Sequence, residues 1–171
     1  AVDILQTIAA SMPTSRLGAN LRESKGWTYG VQSEFTPLLS RSIFAFNTSI
    51  QVPYGVDALI EMQKEFENLQ TIMVTQEELS SAKNSVLMSF NGLYESLSSS
   101  SLSISNKFVY GKDLNYESRY YDEINAITPA DVMQAAKEYL AKDNMVVIAV
   151  GDTEVMSVPL KKMNIPYRIK Q

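Results

Sequence analysis

The sequence predicts an α+β domain in which helices pack against one antiparallel or mixed sheet. Apolar residues recur at helical spacing over much of the chain, residues 27–50 alternate with a period of two, and a β-branched run, "MVVIAVG", stands at 145–151. With 171 residues, 45% of them hydrophobic and 20% charged, the chain has the size and composition of one globular domain. We expect this domain to span residues 1–152, followed by a tail without firm structure over 153–171.

The chain is expected to open with two helices. Apolar residues at positions 2, 5, 8 and 9 fall on one helix face, and a second helical stretch runs from Ser15 to a stop around Lys25 and Gly26. The segment "SMPTS" separates the two. At Trp27 the period changes to two, so the pattern predicts alternate residues from Trp27 to Phe35, Tyr29 included, on one strand face. The turn "TPLLS" and a second alternating run over 43–50 complete a predicted hairpin.

Several helices should follow the hairpin. An apolar stripe over 56–69 marks the first, and Thr75 with Glu78 forms a T-x-x-E capping box at the start of the next, whose stripe runs from Leu79 to Leu93. The serine-rich segment 97–105 could be a linker, but its apolar residues keep helical spacing, so we predict a helix with a weak or kinked part. Thr128 followed by Pro129 begins a further helix.

The run at 145–151 reads as a fully buried strand. Three strands make a small sheet for so many helices. We therefore expect the sheet to be completed by residues preceding Val2 or by a partner, and we expect its open edges to permit self-association.

Composition excludes several classes of function. The chain contains no histidine and no cysteine, which removes the usual general base, the commonest transition-metal ligand and any disulfide or thiolate site. Its net charge of -4 offers no basic surface for nucleic acid. No apolar stretch approaches the roughly 20 residues that span a bilayer, so no membrane segment is expected.

Two further patterns are better explained without chemistry. Ser80 and Lys83 match S-x-x-K, but no S-D-N or K-T-G follows, and both lie on the first turns of a capped helix. Glutamates such as Glu61, Glu65 and Glu67 stand on helices beside basic residues, and a solvated helix face is the simplest interpretation.

Arg22 and Tyr29 differ from these patterns. A helix that ends near Glu23, a turn at Gly26 and a strand from Trp27 would reverse the chain and could aim both side chains at one place. Arginine presents a fork of donors to a carbonyl or carboxylate, and a tyrosine hydroxyl can donate to a developing oxyanion. The alternative is a surface arginine beside a half-buried strand tyrosine.

Four segments together resemble a known family. "SRLGANLRESKGWTYGVQSEF" at 15–35, "VTQEELSSAKNSVLMSF" at 74–90, "ITPADVMQAAKEYL" at 127–140 and "MVVIAVGD" at 145–152 occur in the family's order. They are similar to the second, non-catalytic domain of the pitrilysin/insulinase family of zinc metallopeptidases, a group that includes the mitochondrial processing peptidase.

The resemblance implies a role for the arginine and tyrosine. In that family one α+β domain carries an inverted His-x-x-Glu-His motif that holds zinc, and a similar domain closes the chamber. The second domain contributes an arginine and a tyrosine, seven residues apart, that bind substrate backbone beside the zinc. Arg22 and Tyr29 match this pair, which implies that Arg22 binds the peptide and Tyr29 stabilises the tetrahedral oxyanion. Asn20, Trp27 and Gly30 are candidates for the wall of the same site, and Trp27 is equally a candidate core residue.

The resemblance also implies which cofactor and partners the complete enzyme has. It has no His-x-x-Glu-His motif, so we expect no peptidase activity from it alone, no cofactor in this chain, and zinc in a partner domain or subunit. Its expected partners are that catalytic domain and a peptide substrate. Two alternatives stay open: a structural core subunit of the same fold, such as those of a respiratory complex, or an independent peptide-binding module.

Overall fold

The computed structural model describes residues 1–37, 42–111, 113, 115–162 and 166–169. The chain begins with α1 (Val2–Gln6), which continues as a π-helix (Thr7–Ser11), and a second π-helix (Gly18–Ser24) precedes strands β1 (Thr28–Pro37) and β2 (Ser42–Ile50). A 3-10 turn (Val52–Tyr54) leads to the remaining helices: α2 (Gly55–Thr71), α3 (Gln76–Gly92), α4 (Leu97–Val109), α5 (Tyr116–Ala126), α6 (Pro129–Tyr139) and, after a 3-10 turn (Lys142–Asn144), α7 (Thr153–Lys162). The predicted α+β class is confirmed, and no described helix is long and apolar enough to cross a membrane.

The core lies where α1 and the two π-helices meet α2, α3 and α6. Leu5, Leu17 and Leu21 are fully buried there. Other buried apolar side chains of this cluster include Ile4 and Ile8 of the opening helices and, from β1 and the later helices, Val31, Phe66, Leu69, Leu79, Ala82, Ile124, Val132, Ala136 and Leu140. The predicted opening helices therefore supply the centre of the domain.

Arg16 ties the start of the chain to α3. Its guanidinium donates to both carboxylate oxygens of Glu78, at 2.8 and 3.2 Å. The Glu78 carboxylate also accepts from the Thr75 amide at 2.7 Å, and the Thr75 hydroxyl accepts from the Glu78 amide, so the predicted capping box is confirmed. The hydrogen bond from Arg16 is the main cause that lowers the pKa of Glu78. A long-range ion pair thus fixes where α3 begins.

The predicted hairpin is confirmed, and its alternation holds over residues 31–35 and 46–50 but not at the start of β1. β1 and β2 pair antiparallel, beginning with Pro37 opposite Ser42. Thr36 and Pro37 of the predicted turn "TPLLS" at 36–40 belong to β1, and its residues 38–40 lie outside the described residues. Near the other end, Thr28 pairs with Ile50 and Val31 with Thr48, so β1 has one residue more than β2 over this interval. This is a β-bulge, and because of it Tyr29 and Val31 do not lie on the same face of the strand, as the alternation predicted.

The predicted strand at 145–151 is wrong. Residues 145–150 form no helix or strand, and Val146, Ile148 and Val150 are 87%, 84% and 95% exposed. β-branched residues favour a pleated, half-buried surface, but a strand forms only when a neighbouring backbone pairs with it. The sheet that the structure describes has two strands, β1 and β2.

The tail departs from expectation, and the serine-rich segment agrees with it in structure but not in burial. The tail, which was expected to lack firm structure, forms α7 over Thr153–Lys162. The serine-rich segment is a helix as predicted, because Ser96 and Ser99 form a capping box at the start of α4. However, α4 has no buried residue, and at the end of the α3 stripe Leu93 is exposed.

Candidate functional site

Arg22 is presented by the π-helix Gly18–Ser24. This helix ends at Gly26, which has a φ of +65° and an amide that donates to the Arg22 carbonyl at 3.0 Å. A glycine in the left-handed region is the common way to end a helix. The Trp27 amide then donates to the Leu21 carbonyl at 2.9 Å and turns the chain directly into β1. The predicted stop around Lys25 and Gly26 is therefore confirmed.

The Arg22 side chain lies at the surface. It is 51% exposed, and its Nε lies 3.3 Å from Glu23 Oε1, in an ion pair that is itself largely solvated. An exposed pair of this kind contributes little to stability, typically up to about 1 kcal/mol. The guanidinium thus remains accessible to a ligand.

The bulge in β1 directs Tyr29 outward. Thr28 and Val31 both face the interior, whereas Tyr29 between them is 99% exposed. The Thr48 hydroxyl of β2 donates to the Gly30 carbonyl at 2.9 Å, and the Gly30 amide donates to the Thr28 hydroxyl at 3.1 Å. Bulges commonly redirect a side chain in this way. Tyr29 is therefore exposed because of a specific cross-strand network, and the tyrosine of a simple alternating strand would be half-buried.

Arg22 and Tyr29 flank one turn, and the described structure contains no hydrogen bond between them. Both side chains project from this turn into solvent. The arrangement leaves the four N–H donors on the two terminal nitrogens of the Arg22 guanidinium and the Tyr29 hydroxyl accessible to a ligand that spans the turn.

Trp27 and Gly30 occupy different surroundings. Trp27 packs against the core and stacks on Tyr54, with ring centroids 5.1 Å apart and an interplanar angle of 10°. This contact fits its alternative assignment as a core residue. A Cβ at Gly30 would meet no atom within 4 Å, and its φ is not positive, so nothing in this chain requires glycine there.

Asn20 is half-buried and its side-chain amide is directed at α2. Its Nδ2 donates to Glu65 Oε1 at 2.7 Å and to Glu61 Oε2 at 3.2 Å. Lys25 Nζ donates to Asn20 Oδ1 at 2.8 Å and to Glu61 Oε2 at 3.2 Å. These four side chains form one network, which we call the turn clamp. It joins both ends of the segment that carries Arg22 to a single helix.

Sequence reasoning assigned Glu61 and Glu65 to a solvated helix face, and this assignment is wrong. Glu61 is only 18% exposed, and hydrogen bonds from Lys64 and Asn20, together with Lys25, lower its pKa from 4.5 to about 2. The spacing of four places both acids on one face of α2. No local signal connects that face with Asn20, which precedes Glu61 by 41 positions.

The S-x-x-K pair is not assembled for chemistry. The Ser80 hydroxyl donates to the Gln76 carbonyl of its own helix at 2.6 Å, and Lys83 Nζ donates to the Asn125 carbonyl at the end of α5, 2.7 Å away. No group of three histidine, cysteine or carboxylate side chains among the described residues could hold a metal. The side chains that the structure describes thus offer no set of ligands for a zinc ion.

These observations define a helix-rich α+β domain that presents an arginine and a tyrosine from one capped and bulged turn. The model of the Peptidase M16 inactive domain matches residues 1–86, and the chain belongs to this family. The matched part contains the whole turn, both strands and α2. A search of curated proteins gave no match to this chain.

Solved structures agree with this assignment. A Peptidase M16 inactive domain from Pseudomonas fluorescens superimposes with a TM-score of 0.72 and 25% identity, over 80% of this chain and 33% of that chain. A Bordetella pertussis Tohama I protein described as a zinc protease gives 0.70 and 26%, over 84% and 79% of the two chains. The inactive peptidase domain of a protein described as a zinc protease from Bordetella parapertussis gives 0.70 and 25%, over 84% and 76%. The present chain thus spans about a third of the Pseudomonas fluorescens chain.

Proposed function

We propose that this chain is the peptide-contacting, non-catalytic domain of a zinc-dependent peptidase. In this proposal it closes the chamber against a domain or subunit that carries the His-x-x-Glu-His motif and the zinc. The observation that carries the proposal is the simultaneous exposure of Arg22 and Tyr29 on a turn that Asn20, Lys25 and Trp27 hold in place. Membership of the Peptidase M16 inactive-domain family supports it.

The two side chains suit different parts of the reaction. The Arg22 guanidinium can donate two parallel hydrogen bonds to peptide carbonyl oxygens and so fix the register of an extended substrate. The Tyr29 hydroxyl can donate to the scissile carbonyl oxygen as that oxygen gains negative charge. Arg22 binds the ground state and the transition state alike, whereas Tyr29 acts mainly on the transition state.

Peptide cleavage by the complete zinc peptidase, with the metal-bearing domain or subunit present, tests this division. We expect Tyr29→Phe to lower kcat by about 10²–10³-fold, the effect of removing one oxyanion donor. We expect Arg22→Ala to act mainly by raising KM. Arg119→Ala and Tyr139→Phe, which change exposed residues on α5 and α6, are the matched controls and should leave both parameters near the wild-type values.

The opposite result would support a different function. If the complete assembly cleaves peptides and neither Arg22→Ala nor Tyr29→Phe changes the kinetics, the pair has no part in substrate contact. The structural or scaffolding subunit would then be the better assignment.

A further inference from the structure

The segment 20–30 is fixed at both ends and free in the middle. The turn clamp holds Asn20 and Lys25 against α2, whereas Arg22 and Glu23 between them are 51% and 64% exposed. Asn20 before Arg22 and Lys25 after it are therefore restrained by contacts that Arg22 itself does not make.

The restraint continues from the turn clamp to the strand that carries Tyr29. Lys25 Nζ lies 5.4 Å from the centroid of the Trp27 ring, in cation-π geometry, and Trp27 stacks on Tyr54. Gln51, the residue after β2, fixes the same point, since its side-chain amide donates to the Gly26 carbonyl at 2.9 Å and its backbone amide donates to the Trp27 carbonyl at 3.0 Å. An unbroken series of contacts thus joins α2, the helix end and the start of β1.

We propose that the turn clamp positions Arg22 and Tyr29 for peptide, and that Asn20 is a positioning residue acting through α2 and not a contact on the wall of the site. The inference rests on the proposed function, because it assigns a cause to the geometry of the same pair. It adds Asn20, Lys25, Glu61 and Glu65 to the residues on which activity depends.

Preorganisation is the physical reason for expecting an effect on catalysis. A catalytic or binding group must be held within about 0.5 Å of its productive position, and displacement by about 1 Å can cost 10²-fold in rate. The turn clamp suits this task because two carboxylates, one ammonium and one amide satisfy one another in a half-buried place. Removing the amide leaves two neighbouring carboxylates without a shared donor, which favours movement of the turn away from α2.

The test uses the complete zinc peptidase and compares Asn20→Ala with Glu67→Gln. Glu67 is an exposed glutamate on α2, the helix that carries Glu61 and Glu65, so its variant controls for a change on this helix that leaves the turn clamp intact. We expect Asn20→Ala to lower kcat/KM by about 10- to 100-fold. Lys25→Ala should also lower it, and Lys25→Arg should restore most of the loss because it keeps a cation that can reach Glu61.

A double-mutant cycle separates positioning from general destabilisation. Asn20→Ala is made in two backgrounds: the wild-type protein and the variant that already carries Arg22→Ala and Tyr29→Phe. If the turn clamp acts only by positioning this pair, Asn20→Ala should change kcat/KM by less than about twofold in that background. An equal fold-loss in both backgrounds would show a general structural effect and overturn the proposal.

The remaining outcomes keep the two proposals distinguishable. If Arg22→Ala and Tyr29→Phe lower activity while Asn20→Ala and Lys25→Ala do not, the positioning role is wrong and the proposed function stands. If none of the four variants changes cleavage, the proposed function fails and the positioning role fails with it.

Discussion

The turn at 20–30 and the segments at 97–110 and 145–150 carry comparable local signals in sequence, yet they differ in how the fold uses them. The turn is bonded to α2, to β2 and to the core below it. By contrast, α4 has no buried residue, and Val146, Ile148 and Val150 lie in solvent. Local pattern predicted both regions as regular elements. The local pattern predicted burial correctly for the turn, where α2, β2 and the core cover the apolar residues. It did not do so for α4 and residues 145–150, which no described element covers.

The two regions also differ in how strongly their contacts restrict motion. A polar network of the turn clamp's kind restricts motion, because Asn20 contacts the three other members and Lys25 and Glu61 also contact each other. The exposed side chains of α4 and of residues 145–150 make few contacts that could restrict the motion of neighbouring elements. We therefore expect stability, and any function that needs fixed geometry, to be concentrated in the turn and the elements beneath it.

Truncating a leucine should destabilise the protein strongly under the turn and hardly at all in α4. Leu21 lies under the turn with no exposed surface, whereas Leu97 begins α4 and is 90% exposed. We expect Leu21→Ala to lower the free energy of unfolding by about 3 kcal/mol, since it removes buried methyl groups and leaves a cavity. We expect Leu97→Ala to change it by less than about 0.5 kcal/mol.

Urea unfolding of the two variants, monitored by circular dichroism, measures both free energies. Similar losses from Leu21→Ala and Leu97→Ala would contradict the comparison, because they would show that α4 contributes to the cooperative core.

A smaller loss of stability is expected from Gly18→Ala, at the start of the second π-helix (Gly18–Ser24). A Cβ at this position would lie 2.9 Å from Ser15 Oγ and 3.2 Å from the Pro13 carbonyl oxygen. The close backbone oxygen cannot move without shifting the break between the two opening helices, so we expect Gly18→Ala to cost about 1–3 kcal/mol. At Gly92, the last residue of α3, a Cβ would meet nothing within 4 Å.

Gly92→Ala is accordingly the matched control, and it should be neutral or stabilising by up to about 1 kcal/mol, the usual gain from alanine in a helix. Thermal unfolding of the two alanine variants is the measurement. Stabilisation by Gly18→Ala would mean that the π-helix relaxes freely, and the turn would then be less constrained than its contacts indicate.

Much of the fold could be predicted from sequence because its signals are local. Thr75 with Glu78 and Thr128 with Pro129 define helix starts within four residues, and the period-two run defines the hairpin. The bulge could not be predicted, because it depends on Thr48 reaching the Gly30 carbonyl from the other strand. The exposure of the 145–150 run also depends on which backbones lie beside it, and residue type does not encode that information.

The candidate site divides in the same way. Arg22 and Tyr29 could be selected from their types and spacing, and their surface positions stay compatible with the predicted role. The turn clamp could not be found, because the two carboxylates that bind Asn20 lie on α2, 41 and 45 positions further along the chain. A tertiary network of this kind leaves only a pair of acids at helical spacing as its trace in the sequence.

The smallest effect should come from the charge of Glu61, and pH dependence isolates it. The folded state holds the pKa of Glu61 at about 2, below its ordinary 4.5. A carboxyl group whose pKa is lowered by folding stabilises the protein above its unfolded pKa, and this contribution is lost as pH falls through the folded pKa. Glu61→Gln removes the charge at every pH. We therefore expect wild type to exceed Glu61→Gln in stability above about pH 4.5, by on the order of 1 kcal/mol or less, with the difference disappearing towards pH 2.

Lys64 allows a sharper form of this test, because its hydrogen bond to Glu61 is the largest cause of the lowered pKa. In a Lys64→Gln background the stability that the Glu61 carboxylate contributes should be lost at a higher pH as the solution is acidified. Lys142→Gln, on an exposed 3-10 turn, is the control and should leave the pH range of this loss unchanged. Urea unfolding between pH 2 and 7 provides the profiles. A difference between wild type and Glu61→Gln that stays constant across this range would show that the carboxylate charge does not hold α2 to the turn. The amide of Asn20 would then be the part of the turn clamp that restrains Arg22.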